Sequence, residues 1–200
     1  AGFATPGYSC LDDTLTALLR RVGVVGRDVA QVACNNGREL LSVSNMGAAG
    51  CVGFDQSRAF LDQARELAAI AGQAVEFVEG DVHKTCERYE CRFDVVLITV
   101  GVFGWMPDLA AFLRATARLL RPGGTLVVYE EHPVMNMFEP AGADPFTLAP
   151  SYFRAAPFVE TTAIVYDGSA APEATAHYWF VHPLGSVLTG LVEAGLVRLE

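Results

Sequence analysis

The chain has 200 residues, 52% hydrophobic and 18% charged, which makes one domain with enough apolar side chain for a sizeable core and excludes a disordered linker. Its formal net charge of −9 repels phosphate backbones and anionic lipid, so neither nucleic acid nor a membrane is an expected partner. From the N-terminus, Ser9 is a candidate N-cap for a helix through Leu11, Leu15, Leu18, Leu19 and Val22 that stops at Gly23. Positions 28–34 (DVAQVAC) read as a short strand broken by Asn35-Asn36-Gly37, and 38–45 as a helix entered straight from that turn. Positions 51–55 form a second strand ending on an acid. Ser57 then caps an amphipathic helix, with Phe60, Leu61, Ala64, Leu67, Ala68 and Ala71 at helical spacing and Gly72 as its stop.

A third strand over 75–78 precedes Gly80-Asp81, and a fourth over 94–99 (DVVLIT) is apolar enough to be buried on both faces. A helix over 107–120, a turn at Arg121-Pro122-Gly123-Gly124 and a fifth strand over 125–130 follow. Strands alternating with helices in this way predict a doubly wound α/β fold with a mainly parallel sheet. Its ligand site is expected at the carboxyl ends of the strands, where the strand order reverses beside strand one. From 131 to 178 the rhythm fails, with prolines at 133, 140, 145, 150, 157 and 172 among aromatic and methionine residues. We read 133–180 as an insertion after the fifth strand, a folded cap over the strand ends with a strand at 159–166. A helix from 183 or 184 to 194, stopped by Gly195, and a strand begun at Val197 complete a single domain over 1–200 whose N-terminal arm is 1–24.

The turn after the first strand narrows the ligand. A dinucleotide site puts Gly-x-Gly-x-x-Gly there, so that backbone can approach a pyrophosphate. Positions 34–39 instead read Cys-Asn-Asn-Gly-Arg-Glu, and Glu39 in the first turn of the next helix would repel a pyrophosphate. Asn35 and Asn36 tolerate left-handed backbone. Asp55 ends the second strand, where an acid accepts hydrogen bonds from both hydroxyls of a ribose. Asp81 after Gly80 adds an acceptor suited to an adenine amino group. Together these favour a nucleoside without a pyrophosphate, so a nicotinamide-dependent oxidoreductase fits the sheet but not the turn.

Five stretches carry a family resemblance: QVACNNGREL, CVGFDQS, VEGDV, FDVVLITVGVFGWMPDL and RLLRPGGTLVVYEEHP. In this order they resemble the motifs of the class I S-adenosylmethionine-dependent methyltransferases, in the small-molecule branch with quinone-biosynthesis-like domains. The last is the most specific, a helix ending in L-x-P-G-G before the fifth strand. The resemblance covers 25–132 well and 177–200 weakly. It implies S-adenosyl-L-methionine as cofactor, with Ala33, Cys34, Asn35 and Gly37 at its methionine end. Asp55 would then bind the ribose and Gln56 lie along the adenine, with Asp81 and Val82 at the adenine edge and Thr99 and Val100 beneath the sulfonium. In the family pattern E/D-x-G-x-G, the acid position falls on Ala33 and the first glycine on Asn35. The family's sheet ends in a sixth and an antiparallel seventh strand, so the natural chain is expected to continue past the strand begun at Val197.

In-line displacement at a sulfonium needs alignment and exclusion of water, and a base only where the accepting atom is a hydroxyl or a protonated amine. His132, after the fifth strand, is the first candidate base, although the same position could simply order the turn before Pro133. His182 is the second. Glu130 or Glu131 would attract a cationic amine, Trp105 and Met106 would wall an acceptor pocket or cap the sheet, and Tyr8 would close over the cofactor. The N-P-P-Y type tetrapeptide of base methylation is absent after the fourth strand, where Thr99-Val100-Gly101-Val102 stands. The expected reaction is therefore methyl transfer to a small-molecule acceptor of apolar or ring character. The alternative is a non-catalytic module on a degenerate fold that holds the cofactor or a partner. Lys84, the only lysine, leaves a Schiff-base mechanism a single nucleophile. Five unpaired-looking cysteines (Cys10, Cys34, Cys51, Cys86, Cys91) fit reduced thiols in the cytoplasm. His83, Cys86 and Cys91 lack the paired spacing of a zinc site, so no metal is expected. The oligomeric state is left open.

Overall fold

Strands β1 (Asp28–Val32), β2 (Gly50–Asp55), β3 (Glu76–Glu79), β4 (Phe93–Ile98) and β5 (Leu120–Val128) lie parallel in the order β3-β2-β1-β4-β5. This is a computed structural model, and it describes residues 2–138, 144, 146–162 and 173–196. The strand order reverses between β2 and β4, on either side of β1, as expected of a doubly wound sheet. Helices α1 (Asp13–Val22), α2 (Arg38–Asn45), α3 (Arg58–Ala71), α4 (Val82–Tyr89), α5 (Leu109–Ala117) and α6 (Leu184–Glu193) cover it. Alternate strand residues feed two separate cores: Ala30 and Val32 pack with Phe112, Leu113 and Val187, whereas Val29 packs with Leu15, Leu40 and Leu61. Each face of the sheet thus buries against helices, which is why the strands read as apolar runs.

The helix ends follow the capping chemistry, with corrections. Ser57 accepts from Phe60 N at 3.4 Å and Gly72 closes α3 at φ 64°, as predicted. α1 starts at Asp13, not after Ser9, because Asp12 accepts from Leu15 N at 2.8 Å. The Ser9 hydroxyl takes only Leu11 N, while Cys10 N turns aside to Ser42 Oγ at 3.0 Å. α5 is shorter than 107–120. Asp108 caps it through Ala111 N, and past its end the Arg118 and Leu119 carbonyls accept from 91–93. α4 was not predicted. The Arg-Pro-Gly-Gly segment lies inside β5 as an irregular start, where register with β4 slips between Phe93 and Val95. There Arg121 binds Asp28 Oδ2 at 2.8 Å and Asp94 Oδ2 at 2.9 Å, tying together the starts of three strands.

Beyond β5 the chain makes a 3-10 turn (Pro133–Met137) and an antiparallel ribbon of β6 (Phe158–Thr162) and β7 (Glu173–Trp179), separate from the main sheet. β6 matches the first part of the strand predicted at 159–166. Positions 163–166, and the strand predicted from Val197, lie outside the described residues. Among those described, no helix is long and apolar enough to cross a membrane. α6 closes on α5, so tightly that a Cβ on Gly190 would stand 2.9 Å from Leu113 Cδ1. Leu113 is fully buried. Leu113→Ala should lower stability by about 2–5 kcal/mol in urea unfolding, and a loss below about 1 kcal/mol would contradict this packing.

Candidate active site

The strand-end crevice is built around a backbone with three alternate left-handed residues, Ala33 (φ 51°), Asn35 (φ 50°) and Gly37 (φ 72°). A left-handed non-glycine is strained and needs fixed partners. They are present. Cys34 N donates to Phe54 O at 2.9 Å, Asn35 N to Asp55 Oδ2 at 2.7 Å, and Asn36 N to Asn35 Oδ1 at 2.6 Å. Asp55 Oδ1 accepts from Ser57 N at 2.8 Å, and the Asp55 carbonyl accepts from Gly80 N at 2.9 Å. Gly37 is required twice over, since besides its φ a Cβ there would meet the Phe77 ring at 2.7 Å. Burial, and then the Asp55 charge, push the Cys34 thiol far above its usual range, so it stays a neutral thiol packed under the turn.

The backbone also corrects the motif register. Glycine places two residues apart are those that need left-handed backbone, and these are Ala33 and Asn35. The acid place of E/D-x-G-x-G therefore falls on Gln31 rather than Ala33. Gln31 is fully buried, and its Nε2 donates to Glu39 Oε2 at 2.6 Å and to Thr99 Oγ1 at 3.1 Å. One side chain on β1 thus joins the first turn of α2 to the end of β4. Sequence reasoning missed it. The available signal was a lone polar residue inside an apolar strand.

Across β2 and β3, Gln56 is exposed at the start of the loop after Asp55. Asp81 caps α4 by accepting from His83 N at 3.0 Å and lies 2.7 Å from His83 Nδ1. Burial raises the Asp81 carboxyl, but its hydrogen bonds with His83 outweigh this and hold it below the ordinary range, so it is ionised at neutral pH. Val82 opens α4 with its side chain buried in the core with Val52 and Phe54. At the end of β4, Thr99 is buried and Val100 half exposed.

Beside Thr99 and Val100 the loop after β4 is fixed by Glu130, whose carboxylate accepts from Gly101 N and Phe103 N, both at 2.8 Å. Both oxygens of Glu130 are thus engaged by backbone N–H groups of the loop they fix. Next to it opens a cavity of about 230 Å³ lined by Phe103, Glu131, His132, Trp179, Phe180 and His182, among others. Trp179, missed by the sequence reading, seats its ring on Gly104, where any Cβ would lie 2.2 Å away. Its Nε1 donates to Asn136 Oδ1 at 3.1 Å. Trp105 packs edge-on to Trp179 at 5.7 Å between ring centres, bracing the cap rather than lining the cavity. The two histidines differ in a way their positions alone do not reveal. His132 Nδ1 accepts from Val134 N at 3.2 Å, so the neutral ring carries its proton on Nε2. His182 Nε2 lies 2.8 Å from the Met106 carbonyl and must donate to it, which leaves Nδ1 as the neutral ring's acceptor.

Tyr8 is not brought to the crevice. Its ring packs on Phe3 at 4.9 Å and its carbonyl accepts from Asn45 Nδ2 at 2.7 Å, at the end of α2 away from the turn.

Residues 29–124 match the family described as methyltransferase domain. A ubiquinone biosynthesis O-methyltransferase of Pseudomonas paraeruginosa is 30% identical over 126 residues, covering 62% of this chain and 53% of that one. One of the same name from Aromatoleum aromaticum is 33% identical over 107 residues, covering 52% and 44%. The chain spans about half the length of these curated relatives. Crystal structures of S-adenosylmethionine-dependent methyltransferases from Mesorhizobium loti (TM-score 0.59, 20% identity, 90% of this chain and 79% of that) and Clostridium acetobutylicum (0.64, 14%, 92% and 81%) share the fold. Over residues 29–124 the chain is thus similar to methyltransferase domains, and its fold is the one seen in S-adenosylmethionine-dependent methyltransferases. The methyltransferase crevice fits that cofactor on its own chemistry. Asp55 and Asp81 put carboxylate acceptors after strands β2 and β3, of the kind a nucleoside's donors require, and no lysine or arginine stands between 31 and 37 to favour a phosphate.

The cap of this methyltransferase fold hangs on Gly104. Gly104→Ala should displace Trp179, shifting intrinsic fluorescence to the red and increasing acrylamide quenching while the thermal midpoint stays nearly constant. An unchanged spectrum would contradict the docking.

Proposed function

We propose that the domain transfers a methyl group from S-adenosyl-L-methionine to a hydroxyl of a small acceptor with apolar or aromatic character. The observation that carries this reading is the aromatic cavity with its two histidines, lined by Phe103 and Gly104 of the loop that follows Thr99 and Val100 and by Glu130, which fixes that loop. The printed name of the curated relatives, ubiquinone biosynthesis O-methyltransferase, supports a hydroxyl as the accepting group. When bound, the cofactor supplies an electrophilic methyl on a sulfonium.

The chain's own work is then binding, alignment and proton handling. Ala33, Cys34, Asn35 and Gly37 shape the methionine end, their left-handed turn bringing backbone rather than side chain to it. Asp55 has lone pairs left over for two ribose hydroxyls after taking Asn35 N and Ser57 N. Gln56, Asp81 and Val82 flank the adenine. Phe103, Trp179 and Phe180 hold the acceptor and exclude water, as the cap residues close the cavity. His182 Nδ1 takes the hydroxyl proton, because Nε2 is committed to the Met106 carbonyl. His132 presents an N–H to the acceptor and orients it, and Glu131 lines the same wall.

Calorimetry with S-adenosylmethionine, followed by detection of S-adenosylhomocysteine with a panel of phenols and other hydroxy compounds, tests the reading. Failure of the wild type to bind the cofactor would overturn it, and binding without turnover across the panel would favour the non-catalytic module. Asp55→Asn should weaken cofactor binding by about 1–3 kcal/mol, as for other hydrogen bonds to a charged group. His182→Ala should lower kcat by about 10²–10⁴ with cofactor affinity unchanged, the usual range for a lost general base. His132→Ala should mainly raise the acceptor KM, so equal kcat losses in the two variants would remove the distinction between them.

A further inference from the structure

Glu39 and Gln31 form an anionic pair in which the amide N–H groups are satisfied and the Gln31 oxygen is not. The Gln31 amide is fixed in orientation, because a flip would set its oxygen against the Glu39 carboxylate 2.6 Å away. Its Oε1 is buried and has no hydrogen-bond partner among the described residues. An amide oxygen left so costs free energy, and such groups in native proteins normally meet a donor. Glu39 is partly exposed in the first turn of α2, and among the described residues it makes no ion pair. Its charge is eased by the positive end of the helix but is not neutralised by any cation. A carboxylate and an orphaned amide oxygen together call for one kind of ligand group, a positively charged N–H donor. Hydroxyls supply donors without charge, and a carboxylate or phosphate would be repelled.

We propose that Glu39, held in place by Gln31, is the counter-charge for the amino-acid ammonium of the cofactor. The anion that the family pattern places on the strand is supplied here from the helix. This rests on the reading of the crevice as an S-adenosylmethionine site, and it adds the residue that selects for charge at the methionine end. Thr99 is part of the arrangement: its hydroxyl accepts the second Gln31 N–H at 3.1 Å, which fixes the amide relative to β4.

Calorimetry on the full chain with two ligands tests it: S-adenosylhomocysteine, which carries the ammonium, and 5′-methylthioadenosine, which keeps the nucleoside and lacks the amino acid. Glu39→Gln retains an oxygen to accept from Gln31, so the fold is expected to hold, with thermal unfolding as the check. The variant should bind S-adenosylhomocysteine at least tenfold more weakly and 5′-methylthioadenosine within twofold of wild type. A double variant, Gln31→Glu with Glu39→Gln, returns the carboxylate to the strand and should recover most of the lost affinity. Equal weakening of both ligands, or no weakening of either, would overturn the role of Glu39 while leaving the cofactor reading intact. Failure of the wild type to bind either ligand would overturn that cofactor reading, and this inference with it.

Discussion

A residue held left-handed at the end of a strand turns its N–H out of the sheet ladder, and that N–H must find an acceptor elsewhere. At Asn35 the acceptor is Asp55 Oδ2, on the neighbouring strand. The other oxygen of the same carboxylate takes Ser57 N at the start of α3, and the Asp55 carbonyl takes Gly80 N after β3. One residue therefore fixes the ends of three strands relative to one another. Charge-assisted bonds of this kind are stronger than bonds between neutral groups, which offsets part of the strain at Ala33 and Asn35. Glycine at 37 then lets the start of α2 approach Phe77 more closely than any side chain would allow. The acid at 55 is structural, and its structural bonds leave lone pairs unused, which is what the proposed ribose contact requires.

The other half of the crevice obeys the same economy with a different acid. Glu130 spends both oxygens on the N–H groups of Gly101 and Phe103, so the loop after β4 is held against the end of β5. Several described contacts of the cap attach to that loop. Phe180 N donates to the Gly104 carbonyl, Trp179 lies on Gly104, and His182 donates to the Met106 carbonyl. The loop forms the wall between the Thr99–Val100 end of the crevice and the aromatic cavity.

Much of this was legible in the sequence. Ser57 and Gly72 bound α3 as predicted because their capping chemistry is local, and α2 matched because the left-handed Gly37 sets its start without a side-chain cap. The strands of the sheet were evident from apolar runs. α4 was not, since it presents mainly polar side chains (VHKTCERY) and offers no apolar repeat to read. β7 escaped because most of its described side chains are exposed, which removes the alternation by which a half-buried strand is recognised. Asp12 and Ser9 are both sound caps three residues apart, and only the tertiary pull of Ser42 on Cys10 decides between them. The motif register was misplaced by two residues because identity, not backbone, was matched: Ala33 and Asn35 occupy glycine conformations without being glycine. Which histidine can accept a proton depends on partners at Val134 and Met106, and no spacing rule contains that.

The same backbone bears on which ligand charge the turn can accept. A pyrophosphate site needs N–H groups pointed into an uncharged or basic turn. Here the turn's N–H groups are largely consumed internally, by Phe54, Asp55 and Asn35, and Glu39 sits where a phosphate would have to approach. Asp55 and Asp81 add two more carboxylates along the same edge, the latter kept ionised by its His83 hydrogen bonds against the cost of burial. Negative charge on this scale disfavours any anionic nucleotide, whereas a nucleoside bearing a sulfonium and an ammonium gains from each carboxylate. A turn with few glycines and several acids around it is a single chemical arrangement: where backbone N–H groups are not offered to a phosphate, the site is built from charge.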